Sequence, residues 1–343
     1  MIDRVWYGSD AVARASRAAL TPLSWIWRGS IGARNALYDL GVLRTVVPAV
    51  PTLSVGNLST GGTGKTPFAT YLVGQLLARG ARPGIVLRGY GGDEERVHRL
   101  LTPGVPVLVG ADRIRAIGQA RAAGCDVAVL DDAFQHRRAG RMVDIVLVSA
   151  DVPWVERLLP AGPLREPVTS LQRASLLVIT CKAAAERDAL ALTHRLVGHH
   201  DLPVTLVRLQ AHALVPVQSP GETIALDVLR HRRVLVVAGI GNPKALLRQL
   251  EAHGAVVTAS FYPDHHQYSG ADVQSVLARA AGVDFVVCTL KDAVKLQSLW
   301  PDKGRPLLYV SQRVELMNGE GHLETALDRL VAARPHSFST TAG

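Results

Sequence analysis

The stretch STGGTGKT, residues 59–66, decides how this chain folds. It follows a short apolar run, TLSVG at 52–56, and precedes a helical pattern from about 65 to 79. A strand that ends in a glycine-rich turn and runs straight into a helix leaves the first-turn N–H groups free. The helix dipole adds to their pull on an anion. Gly61, Gly62 and Gly64 let the backbone curl round phosphate oxygens without Cβ clashes. In this reading Ser59, Thr60, Gly61, Gly62, Thr63 and Gly64 wrap the phosphates of a nucleotide. Lys65 neutralises the β and γ groups, and the Thr66 hydroxyl binds Mg2+. A standard loop of this kind has glycine where Ser59 stands. The exchange removes conformational freedom but no ligand, because backbone N–H groups hold the phosphate.

A metal beside the phosphates needs a carboxylate. VAVLDD, 127–132, has four apolar residues and then Asp131 and Asp132. They sit at a strand's C-terminal end, the edge where ligands gather in open α/β sheets. One of the two holds Mg2+, directly or through water, and spacing does not choose between them. A guanine-reading NKxD motif is absent: TLKD at 289–292 puts Lys291 and Asp292 side by side. ATP is therefore expected rather than GTP.

The runs GIVLR (84–88), VPVLV (105–109), VDIVLVS (143–149), LLVIT (176–180) and PVTLVRL (203–209) alternate with helical patterns. Such alternation predicts a P-loop NTPase-like α/β fold with a doubly wound, mostly parallel sheet. RVLVVAGIG (233–241), FVVCTL (285–290) and LLYVS (307–311) predict a second, smaller α/β domain. VPVQSPGET (215–223) is the linker candidate. The expected division is an N-terminal segment 1–40, a P-loop domain 41–214, the linker 215–223, a smaller domain 224–335 and a frayed tail 336–343. GIGNPK (239–244) lacks GxGxxG spacing and reads as a tight turn, not a second nucleotide site.

With 343 residues, 48% apolar and 20% charged, the chain can build the cores of two folded domains. Cys125, Cys181 and Cys288 lie far apart, which gives no disulfide framework or metal knuckle and fits a reducing cytoplasm. The net charge of +9 calls for an anionic partner or a solvated, Arg-rich surface. Aromatic residues at 5%, with no basic-aromatic motif, argue against nucleic acid.

The N-terminal stretch AVARASRAALTPLSWIWRGSIGARNAL (11–37) is apolar but broken by Arg14, Arg17, Arg28 and Arg34. Its longest uncharged run, 18–27, has ten residues and contains Pro22. That is too short for the roughly 20 residues of a spanning helix, and no signal-peptide cleavage site follows. Leu20, Leu23, Trp25, Ile26 and Trp27 among arginines suit an amphipathic helix lying in a membrane interface. The same pattern suits a helix packed on the protein's own core.

Nine strings, taken together, resemble one family. They are WYG (6–8), PLSW (22–25), SVGNLSTGGTGKTP (54–67), RGYGG (88–92) and VLDDAFQHRR (129–138). LLPAGPLREP (158–167), AGIGNP (238–243), DHHQYS (264–269) and KDAVKL (291–296) complete the set. In this order, over about 6–315, they resemble the tetraacyldisaccharide 4′-kinases, the lipid A 4′-kinases. That family's loop also carries Ser or Thr at the place of Ser59. The resemblance implies an ATP- and Mg2+-dependent kinase that phosphorylates the 4′-hydroxyl of tetraacyldisaccharide 1-phosphate in lipid A biosynthesis. It implies a peripheral protein on the cytoplasmic face of the inner membrane. Its partners are then a lipid-linked disaccharide and an anionic membrane surface, and a monomer is expected.

The resemblance also implies roles. Asp93, in a Gly-Asp-Glu element with Glu94, matches the family's candidate base, and Lys65 acts beside it in catalysis. A segment that normally separates this element from RGYGG is missing here. Either a surface insert has been trimmed or Asp93 is a turn residue; the spacing onward to VPVLVGADR (105–113) favours the first. His265 matches the functional histidine, able to share the acceptor proton with Asp93 or to orient it. Consecutive residues such as His265 and His266 converge poorly on one metal ion. Arg113, His136, Arg165 and Glu166 fall on family motifs near the cleft, where arginines would stabilise charge on the transferring group. Two rivals share part of this pattern. One is a membrane-surface P-loop ATPase acting on a protein partner; the other is a nucleotide-binding scaffold.

Overall fold

The computed structural model describes residues 2–89, 92–198, 201–301 and 304–334. Tyr90 and Gly91 of the RGYGG string and the expected tail 336–343 lie outside the described residues.

Two helices open the chain, α1 (Ile2–Tyr7) and α2 (Ala11–Asp39). The first half continues with β1 (Thr52–Asn57), α3 (Lys65–Ala78), β2 (Pro83–Leu87), α4 (Asp93–Leu101), β3 (Val107–Val109) and α5 (Arg113–Ala122). Next come β4 (Val127–Asp131), β5 (Val143–Ser149), β6 (Leu176–Cys181), α6 (Glu186–Val197) and β7 (Val204–Pro216). The second half holds β8 (Ile224–Ala225), β9 (Arg233–Ala238), α7 (Pro243–Ala252), β10 (Val256–Phe261) and α8 (Gly270–Ala280). It ends with β11 (Phe285–Cys288), α9 (Leu290–Leu296), β12 (Leu307–Asn318) and α10 (Glu320–Ala332).

All twelve strands form one sheet, in the order β10-β9-β11-β12-β7-β6-β5-β1-β4-β2-β3, with β8 on β7. The pairings are parallel except β7 with β12 and with β8. Strands β1, β2, β4, β5 and β6 are buried along their whole length. Helices cover both faces there, which is why these strands read as unbroken apolar runs. On one face Leu53, Val55, Ile145 and Val178 meet Phe68, Leu72 and Leu76 of α3. On the other, Val146, Val148, Leu177 and Ile179 meet Leu192 and Leu196 of α6. The second half has cores of its own, with Val237, Val286 and Leu296 on one side and Val234, Leu250 and Leu308 on the other.

The halves meet through a long antiparallel ribbon, paired from Leu308 with Pro216 to Asn318 with Leu206. Val215 and Pro216, the start of the expected linker, are still part of β7. The first half adjoins the start of β7, at 204–208, and the second adjoins the start of β12, at 307–309. Each parallel set therefore points its C-terminal strand ends toward the other half. The loops after β1, β4, β6, β9, β10 and β11 converge on one cleft, as the carboxyl-edge rule for open α/β sheets requires.

Helix α2 lies along the first half and buries only Ala13, Ser24 and Ile31. Leu23, Trp25 and Ile26 are exposed on its outer side, Trp25 at 68%. Its inner side is tied to the 158–166 loop. Ser24 donates to Leu158 O, and Trp27 Nε1 donates to Arg165 O at 2.9 Å. Among the described residues no helix is long and apolar enough to cross a membrane.

Candidate active site

The 58–64 turn leaves β1 at Asn57 and enters α3 at Lys65. Gly61 (φ 105°) and Gly64 (φ 86°) adopt left-handed backbone that side-chain-bearing residues resist. At Gly64 a Cβ would also strike Leu209. Ser59 has no positive φ. It forms an isolated antiparallel bridge with Leu164, so extended backbone is what its position needs and serine supplies it without strain. Thr60 N donates to Pro163 O at 2.9 Å. From the opposite side Thr180 Oγ1 donates to Thr63 O at 2.9 Å, and Lys182 Nζ donates to Gly62 O at 3.1 Å. Thr66 follows Lys65 and is buried.

The acidic strand end splits its two carboxylates between different partners. Asp131 and His98 are both buried and share a hydrogen bond of 2.9 Å. Asp132, at φ 51°, accepts two bonds from Arg165 Nη1, at 2.8 and 2.9 Å, and lies 3.5 Å from Lys65 Nζ. Burial works against its charge, but Lys65 and Arg165 outweigh that and hold the carboxyl below the usual range. Thr66, Asp131 and Asp132 offer an all-oxygen donor set beside the phosphate loop. Among the described residues, Asp131 Oδ1 is buried without a hydrogen-bond partner. This donor chemistry suits a hard cation such as Mg2+.

Asp93 is the first residue of α4, entered through Gly92 at φ 71°, and it is buried. His265, from the loop after β10, places Nδ1 3.5 Å from Asp93 Oδ2. The histidine holds a left-handed backbone, φ 59°, and its N–H donates to Gly239 O at 3.2 Å. Sequence-distant and from opposite halves, the two side chains thus share one side of the cleft, despite the shortened segment before Asp93. Helix α9 adds two cations. Lys295 Nζ is 3.4 Å from Asp93 Oδ2, and Lys291 Nζ is 3.1 Å from Glu94 Oε1. Burial opposes the Asp93 charge, yet Lys295, Lys291 and His265 together hold its carboxyl below the usual range. His266 turns away: it bonds Asp272 at 3.2 Å and stacks on Tyr262 at 4.7 Å.

The remaining sequence candidates divide. Arg113 opens α5, is buried and donates to Gly110 O at 2.8 Å. Burial and nearby Arg88 pull its guanidinium down from the usual value. Burial and then Arg113, Arg141 and Arg138 push the His136 imidazole down to about 4, so it is neutral at physiological pH. Arg165 faces Asp132, whereas Glu166, the next residue, faces away. It accepts from Arg34 at 3.0 Å, Arg173 at 2.6 Å and Asn35 at 3.4 Å, and so ties α2 to the body of the protein. In TLKD, Lys291 reaches Glu94 while Asp292 takes the Tyr268 hydroxyl at 2.9 Å and Gly239 N at 3.1 Å. Asp292 therefore braces the two loops that present Gly239 and His265. His98, Lys182, Lys295 and Asp292 were not evident from the sequence. The signals were that Lys182 follows a strand's C-terminal end, that Lys291 and Lys295 are four apart on one helix face, and that Asp292 and Lys295 fall in the KDAVKL string, to which no role was attached.

Comparison with known proteins gives a consistent result. A family model described as tetraacyldisaccharide-1-P 4′-kinase matches residues 16–104 and 97–332. The tetraacyldisaccharide 4′-kinase of Anaeromyxobacter sp. (strain K) is 38% identical, over 90% of this chain and 89% of its own. That of Azoarcus sp. (strain BH72) is 34% identical, over 94% and 95%. The structure of LpxK from Aquifex aeolicus in complex with ATP superposes with a TM-score of 0.70 at 28% identity, covering 92% of this chain and 99% of that one. With phosphate loop, acidic strand end and cleft in place, the chain belongs to the tetraacyldisaccharide-1-P 4′-kinase family.

Proposed function

We propose that this chain transfers the γ-phosphoryl group of ATP to the 4′-hydroxyl of a tetraacyldisaccharide 1-phosphate, with Asp93 as general base and His265 as its partner. The observation that carries the reading is the meeting of Asp93 and His265, 3.5 Å apart and from opposite halves, together with the Lys65–Asp132–Arg165 cluster at the phosphate loop. Mg2+ held by Thr66 and by Asp131 or Asp132 would neutralise charge on the phosphates. The N–H groups of Gly61, Gly62 and Gly64, not engaged by a backbone carbonyl of the described residues, cradle those phosphates, and Asp132 and Arg165 hold Lys65 beside them. The acceptor oxygen bonds to the γ-phosphorus as the bond from that phosphorus to the β-bridging oxygen breaks. ADP leaves with the electron pair, and the hydroxyl proton passes to Asp93. His265 orients the carboxylate and shares the proton. Arg113 offsets charge on the transferring group, while His136 stays neutral beside it.

In this reading the enzyme rests on the anionic cytoplasmic face of the inner membrane as a monomer. The exposed Leu23, Trp25 and Ile26 of α2 and the net charge of +9 support that placement. The chain is read as a P-loop unit, 41–214, and a smaller unit, 224–335, each with its own core. Their approach would exclude water from the cleft.

The test is transfer of labelled phosphate from ATP to tetraacyldisaccharide 1-phosphate in detergent micelles. Asp93→Asn should slow wild-type transfer by about 10²-fold or more, the size of a lost general base. Equal transfer by both proteins would remove Asp93 from the role. ATP binding without any transfer by the wild type would favour an ATPase acting on a protein partner.

A further inference from the structure

We propose that Lys295 is a positioning residue of this site: its ammonium group holds Asp93 ionised and turned toward the acceptor when α9 is docked on α4. This rests on the reading of Asp93 as the base. Among the described residues, both oxygens of Asp93 are buried without a hydrogen-bond partner. A carboxylate in that setting is costly unless a cation lies close. Lys295 is that cation, with only 4% of its side chain exposed and Nζ at 3.4 Å. Its nearest hydrogen-bond acceptor is His266 O, at 3.3 Å. The ammonium thus stands beside the carboxylate without a short hydrogen bond to it, and the lone pairs are not taken up by another donor among the described residues.

The other charged groups facing Asp93 are accounted for. Lys291, on α9, is committed to Glu94, the neighbour of Asp93 on α4. His265 comes from the loop after β10, and its side chain is half exposed. Among the described residues, Lys295 alone is a buried cation directed at Asp93. It also belongs to the half that does not hold the phosphate loop. Arg96 Nη1 donates to Val294 O at 2.9 Å, next to Lys295, and clamps the same two helices. A base that depends on Lys295 is competent only when the second half is in place.

The experiment is the pH profile of kcat/KM for phosphate transfer by the full chain in micelles, for wild type, Lys295→Met, Lys295→Arg and Asp93→Asn. Removing a cation raises a carboxyl pKa, so activity that needs the carboxylate is lost at a higher pH. The acid limb of Lys295→Met should move up by about one pH unit or more, with the rate recovering on the alkaline side. Lys295→Arg should keep the wild-type limb. A fall by one factor at every pH in Lys295→Met, with the limb unmoved, overturns the proposal. Asp93→Asn separates the two readings. If it is inactive at every pH, the base assignment stands however Lys295 behaves; if it is active, the base assignment itself fails. Should Lys295→Met not stay folded, the pair is read from stability. Adding Asp93→Asn restores the melting temperature if Lys295 had been neutralising a buried charge. If Lys295 only fills space the temperature is not restored, and the proposal falls.

Discussion

Glu166 offers a sharp test of whether a motif residue beside the cleft is part of the chemistry or part of the frame. Its carboxylate is fully buried and accepts from Arg34, Arg173 and Asn35. Glu166→Gln keeps the shape, removes the charge and leaves two guanidinium groups facing a neutral amide. Breaking a buried pair by removing one partner costs about 3–5 kcal/mol. Arg34 keeps 35% of its side-chain surface in water and can rehydrate, so its share is discounted. Arg173, at 19%, cannot do so as readily. A net loss of about 2–3 kcal/mol follows. An unfolding entropy of about 2.1 cal/mol/K per residue gives about 0.7 kcal/mol/K over 343 residues. The melting temperature should therefore fall by about 3–4 °C. Thermal unfolding followed by circular dichroism measures this, and limited proteolysis should cut more readily around α2. Transfer activity should fall by less than about tenfold, because Arg165 still has Asp132. An unchanged melting temperature with a loss of kcat of about 10² or more would refute the reasoning and put Glu166 in contact with the reactants.

Three further outcomes are expected. An ideal Cβ on Gly241 would sit 3.5 Å from both Gly61 Cα and Gly62 N. Gly241→Ala should therefore be tolerated, while the branched side chain of Gly241→Val should displace the phosphate loop and raise the KM for ATP by about tenfold or more. His136, held neutral down to about pH 4 when folded, should make the protein lose stability as pH falls from about 6.5 toward 4, because only the unfolded chain takes up the proton there. Urea midpoints across that window should depend less steeply on pH in His136→Phe. Replacing the exposed Trp25 and Ile26 together with serine should weaken binding to anionic vesicles by about 10²-fold or more, from about 1.5–3 kcal/mol per buried side chain. A vesicle sedimentation assay reads this; unchanged binding would place the membrane contact elsewhere.

How far the sequence spoke depended on the range of the contacts. Strands β1, β4, β5 and β6 are buried on both faces, and their composition announces it. The phosphate loop was legible because its chemistry is local: glycines, Lys65 and a helix start lie within eight residues. The β7–β12 ribbon was seen only at its ends. Its middle, Gln210 to His212, alternates between exposed and half-buried residues, and its partner strand lies about a hundred residues away in sequence. Strand β10 is an edge strand with little burial, so VVTASF carries no clear period. In the site, Asp93 and His265 came from family likeness, not from spacing. His98, Lys182 and Lys295 act on residues far along the chain, and no local pattern marks a lysine whose partner is a carboxylate in the other half.

The antiparallel ribbon explains why one cleft can collect such distant residues. Had β12 run parallel to β7, the C-terminal ends of β9 and β11 would point away from the phosphate loop. Antiparallel pairing turns them back, so Gly239, His265 and Lys291 face the ends of β1 and β4. In the proposed mechanism the donor side of the reaction is built wholly in the first half, from the 59–64 turn, Lys65, Asp132 and Arg165. The proposed acceptor side is split: Asp93 comes from the first half, its histidine and its buried lysine from the second. Such a division would let nucleotide bind to one half alone and would keep the proposed proton acceptor incomplete until both halves meet. Register shifts at Ser311/Gln312 and Leu316/Asn318 interrupt the ribbon's ladder, and irregular pairing of this kind is where a strand bends. Flexing to admit a lipid-linked disaccharide would therefore have a place in the fold, and it lies outside the 59–64 turn and Lys65.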